Sequence, residues 1–556
     1  MANRINFASV LLCGCIFASG ACGIILEYIQ ASLASMILGN SFEQWALVIG
    51  LMLFWMGFAS LLQVHISKRF LIYTFIAVET GLALFGGYSP TLTYAAYGYT
   101  GHYVLVLYFF VSFIGIMIGL EIPVIIRINN DYTKELKTNV GNVLSADYLG
   151  SLAGALIYVF LLLRFLPITE AAFLTAMVNF TLAFVTYVYF LKKRLIKSLV
   201  PAAVMIVTMG LIVFGYVHNR EWNIKLEQPL YDDPVVHSGT SRYQHIVMTR
   251  YEPLDETRLF LNGNLQLCSV DEMRYHEPLV HPVMNAAKIR KRVLILGGGD
   301  GCALREVLKY EDVRQVMLVD LDPAMTKLAA EHPLLTEINA DAFQDARVIR
   351  KGLSGILEGE QKTIFQNTGR IDRETGLQET RQVARVSVMN VDADRFLSDV
   401  PGYWDVIIVD MPDPSTPELA KLYSKRFYAK ARRHLSARGL MAVQATSPYF
   451  AKESFLCIGR TLESAGFSTL PFHENVPSFG DWGWYMAWSK DLDYAKVRKR
   501  VENIEFTVPT RFLTEERFKA EMSFGKGMLD SDRTSVNTIM NPVLLSIYNN
   551  ECWKLN

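Results

Sequence analysis

Charge is scarce in this chain of 556 residues: 19% are Asp, Glu, Lys or Arg, below the roughly 25% usual for soluble domains. Neither sign is in excess, with 54 basic against 54 acidic residues, which excludes a dedicated nucleic-acid binder, normally basic. Cysteine is sparse as well. Seven in the whole chain exclude a disulfide-built scaffold. Cys13, Cys15 and Cys22 fall in an apolar stretch, and Cys268, Cys302, Cys457 and Cys552 show none of the CxxC spacing of a zinc site. Apolar residues are plentiful instead. At 51% hydrophobic and 12% aromatic, the composition excludes disorder, collagen and coiled coil, and the length predicts two to four domains.

The missing charge is missing from one place. Residues 1–217 hold eleven Lys/Arg and eight Asp/Glu, about 9%, whereas the remainder carries 43 basic and 46 acidic residues, about 26%. Seven apolar stretches near the length of about 20 residues that spans a bilayer as helix occupy 9–29, 44–64, 70–88, 103–126, 143–163, 168–190 and 199–217. The first follows Arg4 and passes a lipobox-like Leu12-Cys13-Gly14, yet it runs beyond the core of a cleavable signal, so an uncleaved helix is expected. Lys68 and Arg69, then Arg127, Lys134 and Lys137, then Lys192, Lys193, Arg194 and Lys197 follow the even-numbered helices. Loops 30–43 and 89–102 hold no Lys or Arg, and only Arg164 follows the fifth helix. The bias predicts a multi-pass protein of the cell membrane with a cytoplasmic N-terminus. Glu27, Glu79, Glu121 and Asp147 fall within or at the ends of these spans. They read either as a site or path for a cation or as structural partners of Arg, Lys or Asn. Gly141, Gly150, Ser151, Gly154 and Ala155 predict close helix packing around the fifth span.

Beyond 217 the pattern changes. Segments 241–249, 257–261 and 264–269 read as short strands, with Asn262-Gly263 a hairpin turn between the last two. A helical stretch is expected over 271–289. Strands at 292–296, 315–319, 386–389, 405–409 and 439–444 then alternate with helices at 302–310 and 423–435, the pattern of a doubly wound, mostly parallel sheet. The polar stretch 351–383 interrupts it as an inserted loop or small hairpin. The expected organisation is a transmembrane all-α bundle over 1–217, a small β section over 218–290, a Rossmann-like α/β domain over 291–500 and a helical tail over 501–556.

The strand ends carry the chemistry. The first strand of the sheet runs into Gly297-Gly298-Gly299-Asp300-Gly301, a turn that lets a ligand approach the backbone. Asp320 ends the next strand, twenty residues beyond Asp300, the spacing at which a carboxylate meets ribose hydroxyls. Asp392 follows a third strand, where it can accept from an adenine amino group. Phosphate is best held by free N–H groups with no carboxylate nearby, so Asp300 disfavours a dinucleotide and suits a cationic amine. Asp410 and Asp413 lie just past a buried strand, at the expected crevice, and His276 with Glu277 can complete one wall. The run Trp482, Trp484, Tyr485, Trp488 reads as core or membrane-proximal packing rather than a substrate cage.

The stretches SRYQ (241–244), NGNLQ (262–266), DEMRYHE (271–277), VLILGGGDG (293–301), VDLD (319–322), VDA (391–393) and DMPDPSTP (410–417) together resemble the spermidine synthases, or polyamine aminopropyltransferases, over about 229–490. The apolar N-terminus resembles membrane-attached members of that family. The resemblance implies transfer of the aminopropyl group of decarboxylated S-adenosylmethionine to putrescine, giving spermidine and methylthioadenosine. It implies Asp410 as general base. It places His276, Asp300, Asp413, Tyr275 and Gln266 on the polyamine, and Gln244, Gly297, Gly299, Asp320, Asp392, Ala393 and Pro417 on the donor, with Gln444 lining the same cleft. No resident cofactor or metal and no nucleic acid are implied. The implied partners are the polyamine, the nucleoside donor, the lipid bilayer and copies of the chain in a dimer or tetramer.

Several positions depart from the family pattern: Asp320 stands where Glu is usual, Cys302 where Gly often follows the loop, and Met411-Pro412 where small polar residues are usual. A Tyr-rich segment is replaced by 476–484. These departures bear on the choice of amine, and a different acceptor is one alternative. A second is a methyltransferase on the same fold, against which Asp300 argues. A third is a membrane sensor or transporter of polyamines with a non-catalytic synthase-like domain, against which Asp410 argues. Seven spans from a cytoplasmic N-terminus would place the catalytic part outside. Synthesis of the donor in the cytoplasm favours the inside, which requires that one apolar segment, 199–217 or 70–88, does not cross.

Overall fold

The computed structural model describes residues 7–38, 41–133, 135–349, 365–371, 378–382 and 385–552. The chain divides into two compact units, Met1–Arg250 and Tyr251–Asn556.

In the first unit each apolar stretch forms a helix: Phe7–Leu38, Glu43–His65, Lys68–Tyr99, Tyr103–Asn129, Leu136–Leu162, Ile168–Lys192 and Val200–Asn219. All seven are long and apolar enough to cross a membrane by length and composition. Many of their large side chains face outward; Leu61, Leu105 and Ile206 are each more than 70% exposed. Close packing falls where the small residues predicted it. A Cβ on Gly150 would sit 1.9 Å from the carbonyl oxygen of Phe17, and one on Gly154 2.3 Å from that of Ala21. These two glycines let the helix Leu136–Ile157 lie directly on Phe7–Leu38. Gly141 meets nothing within 4 Å and takes no part. The last helix continues to Glu227, ten residues past the expected boundary at 217. Segment 241–249 is not one strand. Strand β1 (Val235–Thr240) pairs antiparallel with β2 (His245–Tyr251), and 241–244 make the turn between them.

The second unit opens with the hairpin of β3 (Glu256–Leu261) and β4 (Asn264–Cys268). Asn262 and Gly263 have φ of 50° and 79°, the left-handed pair that a two-residue type I′ turn requires. The helix Met273–Ala286 follows. The main sheet is built from β5 (Arg292–Gly297), β6 (Gln315–Asp320), β7 (Val348–Ile349), β10 (Arg385–Asn390), β11 (Trp404–Asp410), β12 (Leu435–Gln444), β13 (Phe467–Val476) and β14 (Gly480–Ser489). Its order is β13-β14-β12-β11-β5-β6-β10-β7. All pairings are parallel except those of β14 with β12 and β13. Val293–Leu296 and Val406–Val409 are fully buried, the continuous apolar runs of a sheet covered on both faces. From β5 the chain winds outward through β6 to β10, then returns to the other side through β11 and β12. The switch point, where such sheets open a crevice at their strand ends, therefore lies between β5 and β11.

Two expectations change, and one, the aromatic run as core packing, holds. The antiparallel edge β13–β14 was not foreseen, because Pro471, Gly480 and Gly483 break the apolar alternation. The aromatic run proves to be β14, with Trp484 and Trp488 buried in the core. The tail is only partly helical: Glu515–Glu521 and Val543–Glu551 are short helices joined by irregular chain. Most of 351–383 lies outside the described residues. Within it, β8 (Phe365–Ile371) and β9 (Gln378–Gln382) pair antiparallel.

Candidate active site

The glycine loop and Asp410 meet at the switch point because their strands are neighbours. Gly297, last in β5, stands opposite Asp410, last in β11. A Cβ on Gly297 would lie 1.8 Å from the Asp410 carbonyl oxygen, and the φ of 89° at Gly297 and 67° at Gly298 suits glycine alone. The Gly298 N–H donates to that same carbonyl at 3.1 Å. The turn is thereby tied to the strand end that carries the acid.

The Asp410 carboxyl points into the crevice. Tyr275 O–H donates to its Oδ1 at 2.7 Å, while its buried Oδ2 has no hydrogen-bond partner among the described residues. Burial and the negative charge of Asp300 push this carboxyl up to about 6, against the pull of His276 and the Tyr275 hydroxyl. His276 comes from the helix Met273–Ala286 and is buried. Its Nδ1–H donates to the Glu272 carbonyl and to Glu272 Oε2, both at 2.9 Å, leaving Nε2 4.0 Å from Asp300 Oδ2. Burial pulls the imidazole down, but the Glu272 hydrogen bond and the charges of Asp300, Glu272 and Asp410 outweigh it and hold it up at about 9. It is thus a cation at neutral pH. Asp300 Oδ1 accepts from Cys302 N–H at 2.7 Å, which fixes its carboxyl over the loop. Ligand-type atoms of His276, Asp300 and Asp410 all lie within 4.8 Å of one another. Phe479, Trp482 and Trp484 pack around the Tyr275 ring with centroids 5.6–6.4 Å away, an aromatic wall beside the acids.

The proposed donor residues lie along neighbouring strand ends. Asp320 ends β6, and its Oδ1 accepts from Asp322 N–H at 2.8 Å. Burial pushes it up to about 7. Gly299 leaves it room, since a Cβ there would meet Asp320 Oδ2 at 2.6 Å. Asp392 caps the helix Ala393–Asp399 through Arg395 N–H and pairs with Lys421 at 2.9 Å. Burial works against ionisation there, but Lys421 and the cap hold the carboxyl below its ordinary value. Pro417 opens the helix Pro417–Leu422. Gln244 belongs to the first unit, where its carbonyl and N–H bond Ser241 in the β1–β2 turn.

One proposed amine residue, Gln266, and the proposed wall residue Glu277 are placed differently from expectation. The Gln266 amide donates to the carbonyl of Leu265 at 3.2 Å, back onto its own strand, and among the described residues makes no bond to the Asp410 group. Glu277 forms no wall. Its carboxylate accepts the N–H groups of Arg511, Phe512 and Leu513 at 2.6–2.9 Å, pinning the tail. Asp413 is held on all sides, its Oδ1 by Gln444 at 2.9 Å and its Oδ2 by Thr446 at 3.0 Å and Tyr548 at 2.7 Å. A carboxylate has about four acceptor sites, so one is left for an amine. Burial raises this carboxyl despite the three donors.

Sequence reasoning missed Glu272, Arg305, Thr446 and Tyr548. Glu272 sits under His276 and is bridged by Arg305 at 2.8 Å and by Arg511. Its distance of four residues from His276 on one helix face was the available signal. Tyr548 lies 135 residues from its partner and had none.

A family model described as "Spermine/spermidine synthase domain" matches residues 272–355 and 375–499. Curated relatives named polyamine aminopropyltransferase match nearly end to end. One from Oceanobacillus iheyensis is 37% identical over 95% of this chain and 94% of its own. One from Leptospira interrogans is 34% identical over 96% of each. One from Ralstonia nicotianae is 35% identical over 94% and 92%. Among solved structures, a spermidine synthase in complex with the transition state analogue AdoDATO aligns with 53% of this chain and 88% of its own, at 24% identity and a TM-score of 0.41. A spermidine synthase from Thermotoga maritima aligns with a TM-score of 0.40. With relatives matching across almost its whole length, this chain belongs to the polyamine aminopropyltransferase family.

Proposed function

We propose that the chain transfers the aminopropyl group of decarboxylated S-adenosylmethionine to putrescine, with Asp410 as the proton acceptor. The observation that carries this is the buried, unpartnered Oδ2 of Asp410, set among Asp300, His276 and the glycine loop at the switch point. A primary ammonium, ordinarily near 10, has no free lone pair at neutral pH. Asp300 and Asp410 attract it as a cation. His276, itself a cation at neutral pH, works the other way and favours the neutral amine as the proton passes to Asp410 Oδ2. The freed lone pair then attacks the carbon next to the donor's sulfonium. The C–S bond breaks, and sulfur leaves with the electron pair as a neutral thioether. No anionic leaving group forms, so the transfer calls for no metal. Alignment of the two reactants supplies much of the acceleration, and proton removal adds about 10²–10⁴-fold. On the donor side, Asp320 accepts from the ribose hydroxyls, Asp392 from the adenine amine, and Gly297 and Gly299 admit the nucleoside to the backbone.

In this reading six of the seven apolar helices of the first unit cross the cell membrane and the last, Val200–Asn219, does not, so the N-terminus and the catalytic unit both lie in the cytoplasm. The outward-facing Leu, Ile and Phe side chains support a lipid surround. Loop charge supports the N-terminal side, and the location of donor synthesis supports the catalytic side.

Purified full-length protein, incubated with decarboxylated S-adenosylmethionine and a panel of amines, is expected to yield a product heavier by one aminopropyl group, with putrescine best. No product with any amine, while Asp410→Asn still binds polyamine like the parent, would favour a receptor instead. A reporter fused after residue 232, active on the external side alone, would overturn the cytoplasmic placement.

A further inference from the structure

Inside the first unit lies a polar group that the transfer reaction does not use. Glu79 is wholly buried and neither of its carboxyl oxygens has a hydrogen-bond partner among the described residues. Glu121 is 2% exposed, with Oε1 equally unpartnered. The two carboxyls act on each other, and the Ser19 hydroxyl lies beside both without a hydrogen bond of normal geometry to either. Ser19 is 1% exposed, so a buried hydroxyl also points into this space unpaired. Asp147 closes one side, its Oδ1 2.6 Å from where a Cβ on the adjacent Gly20 would stand.

The opposing helix adds an amide at the same depth. Cys15 Sγ lies 3.8 Å from Thr186 Oγ1, and Cys22 Sγ lies 4.0 Å from the Thr175 carbonyl. Ser19 falls between the two cysteines and Asn179 between the two threonines. Asn179 is fully buried, and neither its amide oxygen nor its nitrogen has a partner among the described residues.

The structural reading of these acids as ion-pair partners fails. Arg127, the nearest candidate in sequence to Glu121, donates to the Gln63 carbonyl, Gln63 Oε1 and the Ile66 carbonyl at 2.6–2.9 Å. No Lys or Arg pairs with Glu79, Glu121 or Asp147 among the described residues. An uncompensated carboxylate in an apolar interior is costly and marks a functional position. A π-turn at Leu82–Gly86, just past Glu79, and Pro123, two residues past Glu121, interrupt the regular helix where such a site would sit.

We propose that this group is a cation-binding site inside the helix bundle, with Glu79 and Glu121 as charged ligands and Ser19 and Asn179 as neutral ones. It would take a monovalent cation stripped of bulk water, either the ammonium end of an alkyl diamine or Na⁺. The site is built from residues of the first unit alone, whereas the Asp410 centre belongs to the second, and it does not depend on that reaction.

The test uses full-length protein in lipid nanodiscs carrying Asp300→Asn and Asp410→Asn, which removes the catalytic carboxylates. Equilibrium binding of labelled putrescine and of ²²Na⁺ is measured in separate arms. One equivalent of one label per chain is expected to persist, and which label binds identifies the cation. Adding Glu79→Gln and Glu121→Gln is expected to weaken binding by about tenfold or more. Ser19→Ala, a milder change, gives the same direction at about threefold and serves if the double variant does not fold. In the otherwise wild-type chain, Glu79→Gln/Glu121→Gln keeps transfer activity within about twofold, as separated sites should. That readout distinguishes loss of this site from failure of the transfer reading. Absence of both labels, or binding unchanged by the Gln substitutions, overturns the proposal and leaves the two carboxyls as a neutral pair sharing protons.

Discussion

Replacing Asp410 with Asn should abolish catalysis and at the same time stabilise the protein. Burial and Asp300 raise this carboxyl from its ordinary 3.8 to about 6. The unfolded chain therefore releases the proton near pH 4 while the folded chain keeps it until about pH 6. Between those values the folded state binds more protons, so stability falls as pH rises, and above the window the whole penalty remains. A shift of roughly two units corresponds to roughly 3 kcal/mol at pH 8, and to about 1 kcal/mol at pH 4.5 where most of the window still lies ahead. Asn carries no charge and still accepts from the Tyr275 hydroxyl. Its amide N–H₂ replaces the unpartnered Oδ2 and offsets about 1 kcal/mol if it finds no acceptor. A net gain of about 1–3 kcal/mol at pH 8 is expected, shrinking toward zero at pH 4.5, together with a loss of about 10²–10⁴-fold in turnover. Thermal unfolding followed by tryptophan fluorescence reports the first effect, since Trp482 and Trp484 stand beside Tyr275. Product mass spectrometry reports the second. An Asn variant less stable than the parent at pH 8, or a gain that does not shrink with acid, would refute the argument that this carboxylate is held at an energetic cost.

Other outcomes follow from the same geometry. In wild type, kcat/KM should rise as pH passes about 6, where Asp410 ionises, flatten above it, and change again near pH 9, where His276 loses its proton. Glu272→Gln removes a hydrogen bond that holds the proton on His276, so the alkaline change near pH 9 should move to lower pH. That variant should also lose about 1.5–3 kcal/mol, because Arg305 keeps Glu306 but loses its charge-assisted bond to Glu272. Tyr548→Phe leaves Asp413 Oδ2 with Thr446 alone. It should cost about 1.5–3 kcal/mol and raise the KM for the amine more than that for the donor, measured by steady-state kinetics. Gly299→Ala places a Cβ 2.6 Å from Asp320 Oδ2, so the KM for the donor should rise by about tenfold or more while that for the amine changes little.

The sequence was most informative where chemistry and backbone geometry coincide. The glycines of 297–301 and the acids at the ends of β6 and β11 were legible, because a turn that needs positive φ and a strand that ends in carboxylate leave a local trace. The seven apolar helices were legible from hydropathy alone. Glu277 misled, because a carboxylate beside His276 looks like a site residue until three N–H groups arrive from 234–236 residues away. Tyr548 was invisible for the same reason: its role exists only once the tail is laid against Asp413. The β13–β14 edge escaped because its register is set by ten paired positions between strands and not by alternation within either one.

The bond from Gly298 to the Asp410 carbonyl has a practical consequence for anyone redesigning this protein. The nucleoside loop is hydrogen-bonded to the backbone of the proton acceptor itself, so neither can be remodelled without disturbing the other. Engineering toward bulkier or longer acceptors should leave that junction alone. The freedom lies across the crevice, where Phe479 and Trp482 are carried by the β13–β14 connection and the start of β14 and contact the reacting end through the Tyr275 ring. Libraries confined to those two positions would vary the acceptor pocket while inheriting an intact donor grip.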